Sequence, residues 1–333
     1  MSIATADRGP IILRTPAELQ HWSDRVRGSG MTVGMVPTMG ALHRGHASLM
    51  QRAREENNRT VVSIFVNPTQ FAPGEDFGRY PRELEIDLQR CAAEGVNVVF
   101  APSVADMYVR GAVTTVHVGG GLTEVLEGSY RPGHFDGVAT VVTKLLAAAR
   151  PDRAYFGRKD AQQCAVVRRL VLDLGLGCTV VICPLVRDPD GLALSSRNRH
   201  LSAGHRTQAL AVPRALAVAA QNWRAGERSP RRLRDIVFAE LAASPDLRVD
   251  YVAVVDPDTF GDAGDGCVRC EILVAARIGG TRLIDVIAPG VDDPPVVDRE
   301  GSPPPGPIPG VRRGAAHRPE IKDPSCHGDP SRS

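Results

Sequence analysis

The chain has 333 residues, of which 43% are hydrophobic and 23% charged, enough for two globular domains and unlike a disordered protein. Lys plus Arg number 40 against 38 Asp plus Glu, and a net charge of +2 gives no electrostatic case for a nucleic-acid partner or an anionic membrane. No apolar run approaches the ~18 residues that span a bilayer, and MSIATADRGPIILRTP lacks the basic start and apolar stretch of a secretion signal.

In chain order, TVGMV (32–36), VVSIFV (61–66), VNVVF (96–100), AYFG (154–157) and TVVICPLV (179–186) read as buried strands. Between them, HASLMQRAREEN, ELEIDLQRCAAEG, GVATVVTKLLAAA and DAQQCAVVRRLVLDLG carry apolar residues at helical spacing, several ending in Gly or Asn. Strand–helix repetition with near-continuous apolar strands predicts an α/β fold, a doubly wound parallel sheet whose ligands lie beyond the strands' carboxyl ends. After about Val186 the pattern changes. SAGHRTQALAVPRALAVAAQNWRAG predicts a helix N-capped by Ser202 and kinked at Pro213, and SPRRLRDIVFAELAAS a second one. VDYVAVVD, CEILVAARI and TRLIDVI alternate as strands, the last two joined as a hairpin at Gly279-Gly280, so a smaller α+β domain is expected. The boundaries are 1–185, 186–288 and a Pro-rich tail, 289–333, expected to be disordered and dispensable.

The seven cysteines are odd in number and scattered, the pattern of reduced thiols in a cytoplasm. Cys267 and Cys270 form half of a zinc-site pattern without a second pair, and read as strand-edge thiols.

Three stretches carry chemistry. In VPTMGALHRGHASLM (36–50), a strand ends in Pro37, turns through Gly40 and enters a helix near Gly45. That layout presents backbone N–H groups and a positive helix end to an anion. His43 and His46 would sit beside it and donate to phosphate oxygens, with Gly45 leaving room for a nucleotide close to the backbone. A bare H-x-x-H is more often a pair of surface histidines; the strand–turn–helix context favours the cradle. In FGRKDAQQ, Lys159 offers a mobile ammonium to a phosphate and Asp160 a cap or a partner for a ribose or for Lys159. In DGLALSSRN, Ser195, Ser196 and Arg197 make a triphosphate clamp, where the plain alternative is a turn into the next helix.

Taken with VVSIFVNPTQF, YPR, EGSYRPGHFDGVATVVTKLL and PDRAYFGRKDAQQ, these motifs resemble the nucleotidylyltransferase superfamily and, within it, the pantoate–β-alanine ligase family, over about residues 10–288. The resemblance implies a Rossmann-like fold and a homodimer. It also implies a two-step reaction, in which pantoate and ATP give pantoyl adenylate and pyrophosphate, and β-alanine then gives pantothenate and AMP. It places the ATP cradle on Met39, Gly40, Ala41, Leu42, His43, Arg44, Gly45 and His46, with His46, His43 and Lys159 catalytic and His46 the proton donor. Further ATP contacts fall on Gly157, Arg158, Lys159, Asp160, Val186, Leu194, Ser195, Ser196 and Arg197. Pantoate falls to Gln70 and Gln163, Gln70 also at the β-alanine position, and Mg²⁺ to Asp87. Neutral amides suit a hydroxylated acid because each offers a donor and an acceptor. A reactive anhydride needs shielding from water, so NPTQFAPGEDFGRYP (67–81) is expected to close as a flap.

The chain departs from the family pattern at three places. Arg158 stands where an acid is common, Ala161 where an aromatic is usual, and Leu194 for a common Met. Arg158 either adds phosphate affinity or removes a carboxylate that orients Lys159. The competing readings are a nucleotidylyltransferase with another acceptor, which would need a basic acceptor pocket, and a non-catalytic nucleotide-binding relative.

Overall fold

In a computed structural model, which describes residues 9–297, the elements run β1 (Ile11–Leu13), α1 (Pro16–Gly28), β2 (Val33–Thr38), α2 (Arg44–Glu56), β3 (Arg59–Ile64), α3 (Leu84–Ala93) and β4 (Val98–Phe100). There follow α4 (Val104–Met107), α5 (Glu127–Tyr130), α6 (His134–Ala149), β5 (Arg153–Gly157), α7 (Ala161–Asp173) and β6 (Thr179–Cys183). The remainder is α8 (Ala203–Ala209), α9 (Ala211–Arg224), α10 (Pro230–Leu241), β7 (Arg248–Val255), β8 (Glu271–Ile278) and β9 (Thr281–Ile287).

Strands β1 to β6 form one sheet in the order β1-β4-β3-β2-β5-β6, every pair parallel. The central strands are apolar along their length because both faces are covered. One face meets α1, α6 and α7 through Leu19, Leu146 and Val167; the other meets α2 and α3 through Met50 and Cys91. The chain builds outward from β2 through β3 to β4, then returns to the other side of β2 with β5. That reversal opens a crevice beyond the carboxyl ends of β2 and β5, where the loops 39–43 and 157–160 begin.

The second unit is a three-stranded antiparallel sheet, β7-β8-β9, under α9 and α10, with its own core around Leu216, Leu233 and Ile272. The β8–β9 turn uses Gly279 (φ 53°) and Gly280 (φ 79°), the left-handed pair a two-residue hairpin requires.

Two expectations shift. The helix expected to kink at Pro213 is two helices broken at Leu210, and Pro213 lies in the first turn of α9, where its missing N–H breaks no helical bond. Ser202 caps α8 as expected, accepting the His205 N–H at 3.2 Å. The residues assigned to a tail begin with contacts: Asp292 Oδ2 accepts the Ala288 N–H at 2.7 Å, and Val297 packs on the second core. The rest of the expected disordered tail, residues 298–333, lies outside the described residues. Among the described residues no helix is long and apolar enough to cross a membrane.

Candidate active site

The loop after β2 owes its shape to a buried carboxylate. Gly40 (φ 82°) and Ala41 (φ 51°) are both left-handed, a conformation an alanine adopts only when its surroundings hold it there. The hold is Asp87 on α3. Its Oδ2 accepts the Ala41 N–H and its Oδ1 the Leu42 N–H, each at 2.8 Å, and the residue is 1% exposed. Burial pushes the Asp87 carboxyl above its ordinary range, against the pull of those two N–H groups. Asp87, the residue expected to take magnesium, thus gives an acceptor oxygen to each of two loop N–H groups and is absent from the cavity lining, and among the described residues no three His, Cys, Asp or Glu side chains gather around a metal. Cys267 and Cys270 likewise have no third ligand there.

The bracing delivers His43 and His46 to the start of α2. The Gly45 N–H donates to His43 Nδ1 and the His43 N–H to His46 Nδ1, both at 3.2 Å. An Nδ1 that accepts cannot carry a proton, so each neutral ring bears its hydrogen on Nε2. The rings lie 4.1 Å apart between centroids, and both line a cavity of about 220 Å³. Burial, then Lys159 and Arg90, depress His43 to about 4; burial, then His43 itself, hold His46 well below its usual value. At neutral pH the pair therefore presents two neutral N–H donors. A Cβ on Gly45 would sit 3.0 Å from the His43 ring, so any larger residue there would have to displace that ring.

Across the crevice, the turn after β5 supplies Gly157, Lys159 and Asp160 to the same wall. Asp160 makes no cap to α7; both its oxygens lie 3.3 Å from Lys159 Nζ. From the second unit come Val186, Leu194, Ser195, Ser196 and Arg197. The Val186 carbonyl accepts the Leu194 N–H at 3.0 Å, which closes that loop into a short hairpin. Ser195 Oγ accepts the Arg197 N–H at 3.3 Å, and Ser196 Oγ lies 3.3 Å from the Tyr80 hydroxyl. Arg197 forks onto Asp76 at 2.7 and 2.9 Å, while Arg131 forks onto neighbouring Glu75 at 2.8 and 2.9 Å. The segment 71–80 is thus fastened over the cavity by two consecutive acids.

The cavity lining also includes apolar Val138, Val142, Leu145 and Phe156, together with Gln70 and Gln163. Gln70 is 8% exposed; its Nε2 donates to Met39 Sδ at 3.1 Å and its Oε1 accepts from Asn67 Nδ2 at 3.2 Å. Of the adjacent glutamines on α7, Gln162 is structural, donating to Leu122 and Val125 carbonyls at 2.8 and 2.9 Å, and Gln163 faces the cavity.

Not every expected contact reaches the cavity. Ala41 and Leu42 are buried behind the loop, at 1% exposure each. Gly40 is closed in by Asp87 and Ile64, and exposed Arg44 pairs with Asp188 at 3.2 Å. Arg158 turns away entirely, to Glu271 and Asp292. Ala161 shares a buried cluster with Leu273 and Val286 of the second sheet, beside a void of about 30 Å³. The sequence reading missed Arg131 and His134. His134 lies 2.8 Å (Nδ1) from the Gln70 carbonyl, and burial depresses it to about 4. Its signal was the Gly-His pair opening α6, whose Gly133 is left-handed at φ 78°.

Comparison with known proteins places the chain in a family. The family described as Pantoate-beta-alanine ligase matches residues 11–288. The chain is 48% identical over 282 residues to the pantothenate synthetase of Moorella thermoacetica, covering 85% of this chain and 99% of that one. A crystal structure of the Thermus thermophilus pantothenate synthetase superimposes with a TM-score of 0.79 at 46% identity, covering 83% of this chain and 98% of the other. The Francisella tularensis pantoate-beta-alanine ligase, solved with beta-gamma ATP and beta-alanine, superimposes with a TM-score of 0.67 at 32% identity, covering 85% and 99%. The chain spans about half, 54%, of a bifunctional pantoate ligase/cytidylate kinase of Gloeobacter violaceus, to which it is 50% identical over 280 residues, 84% of this chain. On sequence and fold alike, the chain belongs to the pantoate–β-alanine ligase family.

Proposed function

We propose that this protein condenses pantoate with β-alanine at the expense of ATP, giving pantothenate, AMP and pyrophosphate through pantoyl adenylate. The observation that carries this reading is the convergence, on one cavity, of two Nε2–H imidazoles, Lys159 and the Ser195–Arg197 loop with two neutral amides and a set of apolar side chains. The first set matches a triphosphate. The second matches a branched hydroxy acid, whose methyl groups suit Val138, Val142 and Leu145 and whose hydroxyls suit Gln70 and Gln163.

A pantoate carboxylate oxygen attacks the α-phosphorus, and the bond to the bridging oxygen breaks as pyrophosphate departs. His43 and His46 donate hydrogen bonds through Nε2 to the oxygens that gain charge, and Lys159 adds a full positive charge. The depressed basicity of His46 supports hydrogen-bond donation by a neutral ring; a proton donor's role requires the phosphates to raise its basicity first. The β-alanine amine then attacks the acyl carbon and AMP leaves. Magnesium fits as a companion of the nucleotide's phosphates rather than as a resident of Asp87. Residues 67–81 serve as the flap that shields the anhydride. The scattered thiols, most of them buried, support a cytoplasmic protein, and the family resemblance supports a homodimer.

Incubation with pantoate, β-alanine, Mg²⁺ and ATP should yield AMP and pantothenate together. AMP formed only with a different acid would move the assignment to another acceptor, and no turnover with any acid would favour a nucleotide-binding relative.

A further inference from the structure

Arg158 directly precedes Lys159 yet contributes nothing to the cavity wall. Its Nη2 donates to Glu271 Oε1 at 2.8 Å and its Nη1 to Asp292 Oδ1 at 2.9 Å. The three side chains are 19%, 11% and 29% exposed, so the triad is largely withdrawn from water. Glu271 is the first residue of β8, and its carboxylate is anchored to the rim of the second sheet. Asp292 is fixed in the turn beyond β9, where its N–H donates to the Ala288 carbonyl at 2.9 Å and its Oδ2 accepts the Ala288 N–H. Residues 158–160 are a single three-residue helical turn, so the backbone that carries Lys159 is the one Arg158 anchors.

We propose that Arg158 is a positioning residue for the nucleotide: its triad with Glu271 and Asp292 ties the Lys159 turn of the first domain to the second. The tie sets the span between Lys159 and the Ser195–Arg197 loop, which approach the cavity from opposite domains. The guanidinium is turned onto two carboxylates and lines no part of the cavity, so its effect passes through Lys159. Removing it strands two part-buried carboxylates on the second unit and releases the turn from them. The departure at position 158 is therefore one half of an interdomain ion pair, neither a phosphate ligand nor a lost orienting acid.

The inference rests on the cavity being the nucleotide site, so the test reads ATP binding by titration calorimetry, which requires no acceptor acid. Arg158→Gln should weaken ATP about tenfold while leaving the KM for pantoate within about twofold. The exchange Arg158→Glu with Glu271→Arg should recover affinity to within about threefold of the natural chain. Melting curves are taken for every variant. If Arg158→Gln melts below the assay temperature, Arg158→Lys replaces it, because a single ammonium cannot span both carboxylates and should bind ATP more weakly. A folded Arg158→Gln or Arg158→Lys with natural ATP affinity would overturn the proposal, as would an exchange variant no better than Arg158→Gln. If the natural chain binds ATP but makes no pantothenate, the acceptor assignment fails and the triad stands. If it does not bind ATP, both fail.

Discussion

His43 and His46 illustrate how little a motif says until its hydrogen bonds are known. Each ring spends Nδ1 on a backbone N–H and keeps an Nε2 donor. His46→Ala should depress adenylate formation by at least ~10²-fold, the scale of losing a charge-stabilising donor. A near-normal rate of pantoate-dependent pyrophosphate release would remove His46 from the mechanism. Asp87 makes the complementary case, a residue near the chemistry whose work is mechanical. Asp87→Asn replaces one acceptor with an amide that must face the Ala41 or Leu42 N–H, so stability should fall by about 1–3 kcal/mol. The same variant should keep the magnesium concentration for half-maximal rate unchanged. A large increase in that concentration, with the melting temperature preserved, would restore the metal role instead.

Among the elements, the close approach of α6 to the Gln70 turn matters most. A Cβ on Gly137 would lie 2.3 Å from the Thr69 carbonyl oxygen, so helix and turn meet backbone to backbone. Gly137→Ala must push the 68–70 turn outward and carry Gln70 away from the acid pocket. The expected result is a KM for pantoate raised about tenfold with a stability loss of about 1–3 kcal/mol; an unchanged KM would show that the turn tolerates the shift. The same element shows what a sequence reveals. The buried strands were legible because a parallel sheet covered on both faces leaves apolar runs, and the phosphate motifs were legible because their spacing is local. Strand β1 was not: it has three residues at the sheet edge, and Ile11 and Ile12 are 56% and 40% exposed. Helix α1 escaped the reading although Thr15, Pro16 and Glu18 form a capping box that announces it. The bracing by Asp87 and the partners of Arg158 depend on contacts far apart in the chain, which no local pattern encodes.

At the scale of the whole molecule, buried neutral histidines set the response to acid. His43 and His134 are depressed to about 4, and His46 lies lower than its usual value too. Between their ordinary pKa near 6.5 and about 4, the unfolded chain binds protons that the native one refuses. Their contribution to stability is thus complete above pH 6.5 and is lost as pH falls toward 4. Melting temperature should drop steadily over that window, and His134→Gln should flatten part of the slope. A profile level from pH 7 to 4.5 would contradict the buried neutral state.

The fork of Arg197 onto Asp76 has a consequence for traffic through the site. A triphosphate and the Asp76 carboxylate are rival anions for one guanidinium, so loading the nucleotide and loosening the 71–80 segment are two sides of one exchange. Reciprocity then applies: by whatever factor the phosphates weaken the Asp76 contact, that contact weakens phosphate affinity. On the proposed assignment, entry and departure of the nucleotide would be coupled to the same gate, through a charge that belongs to both.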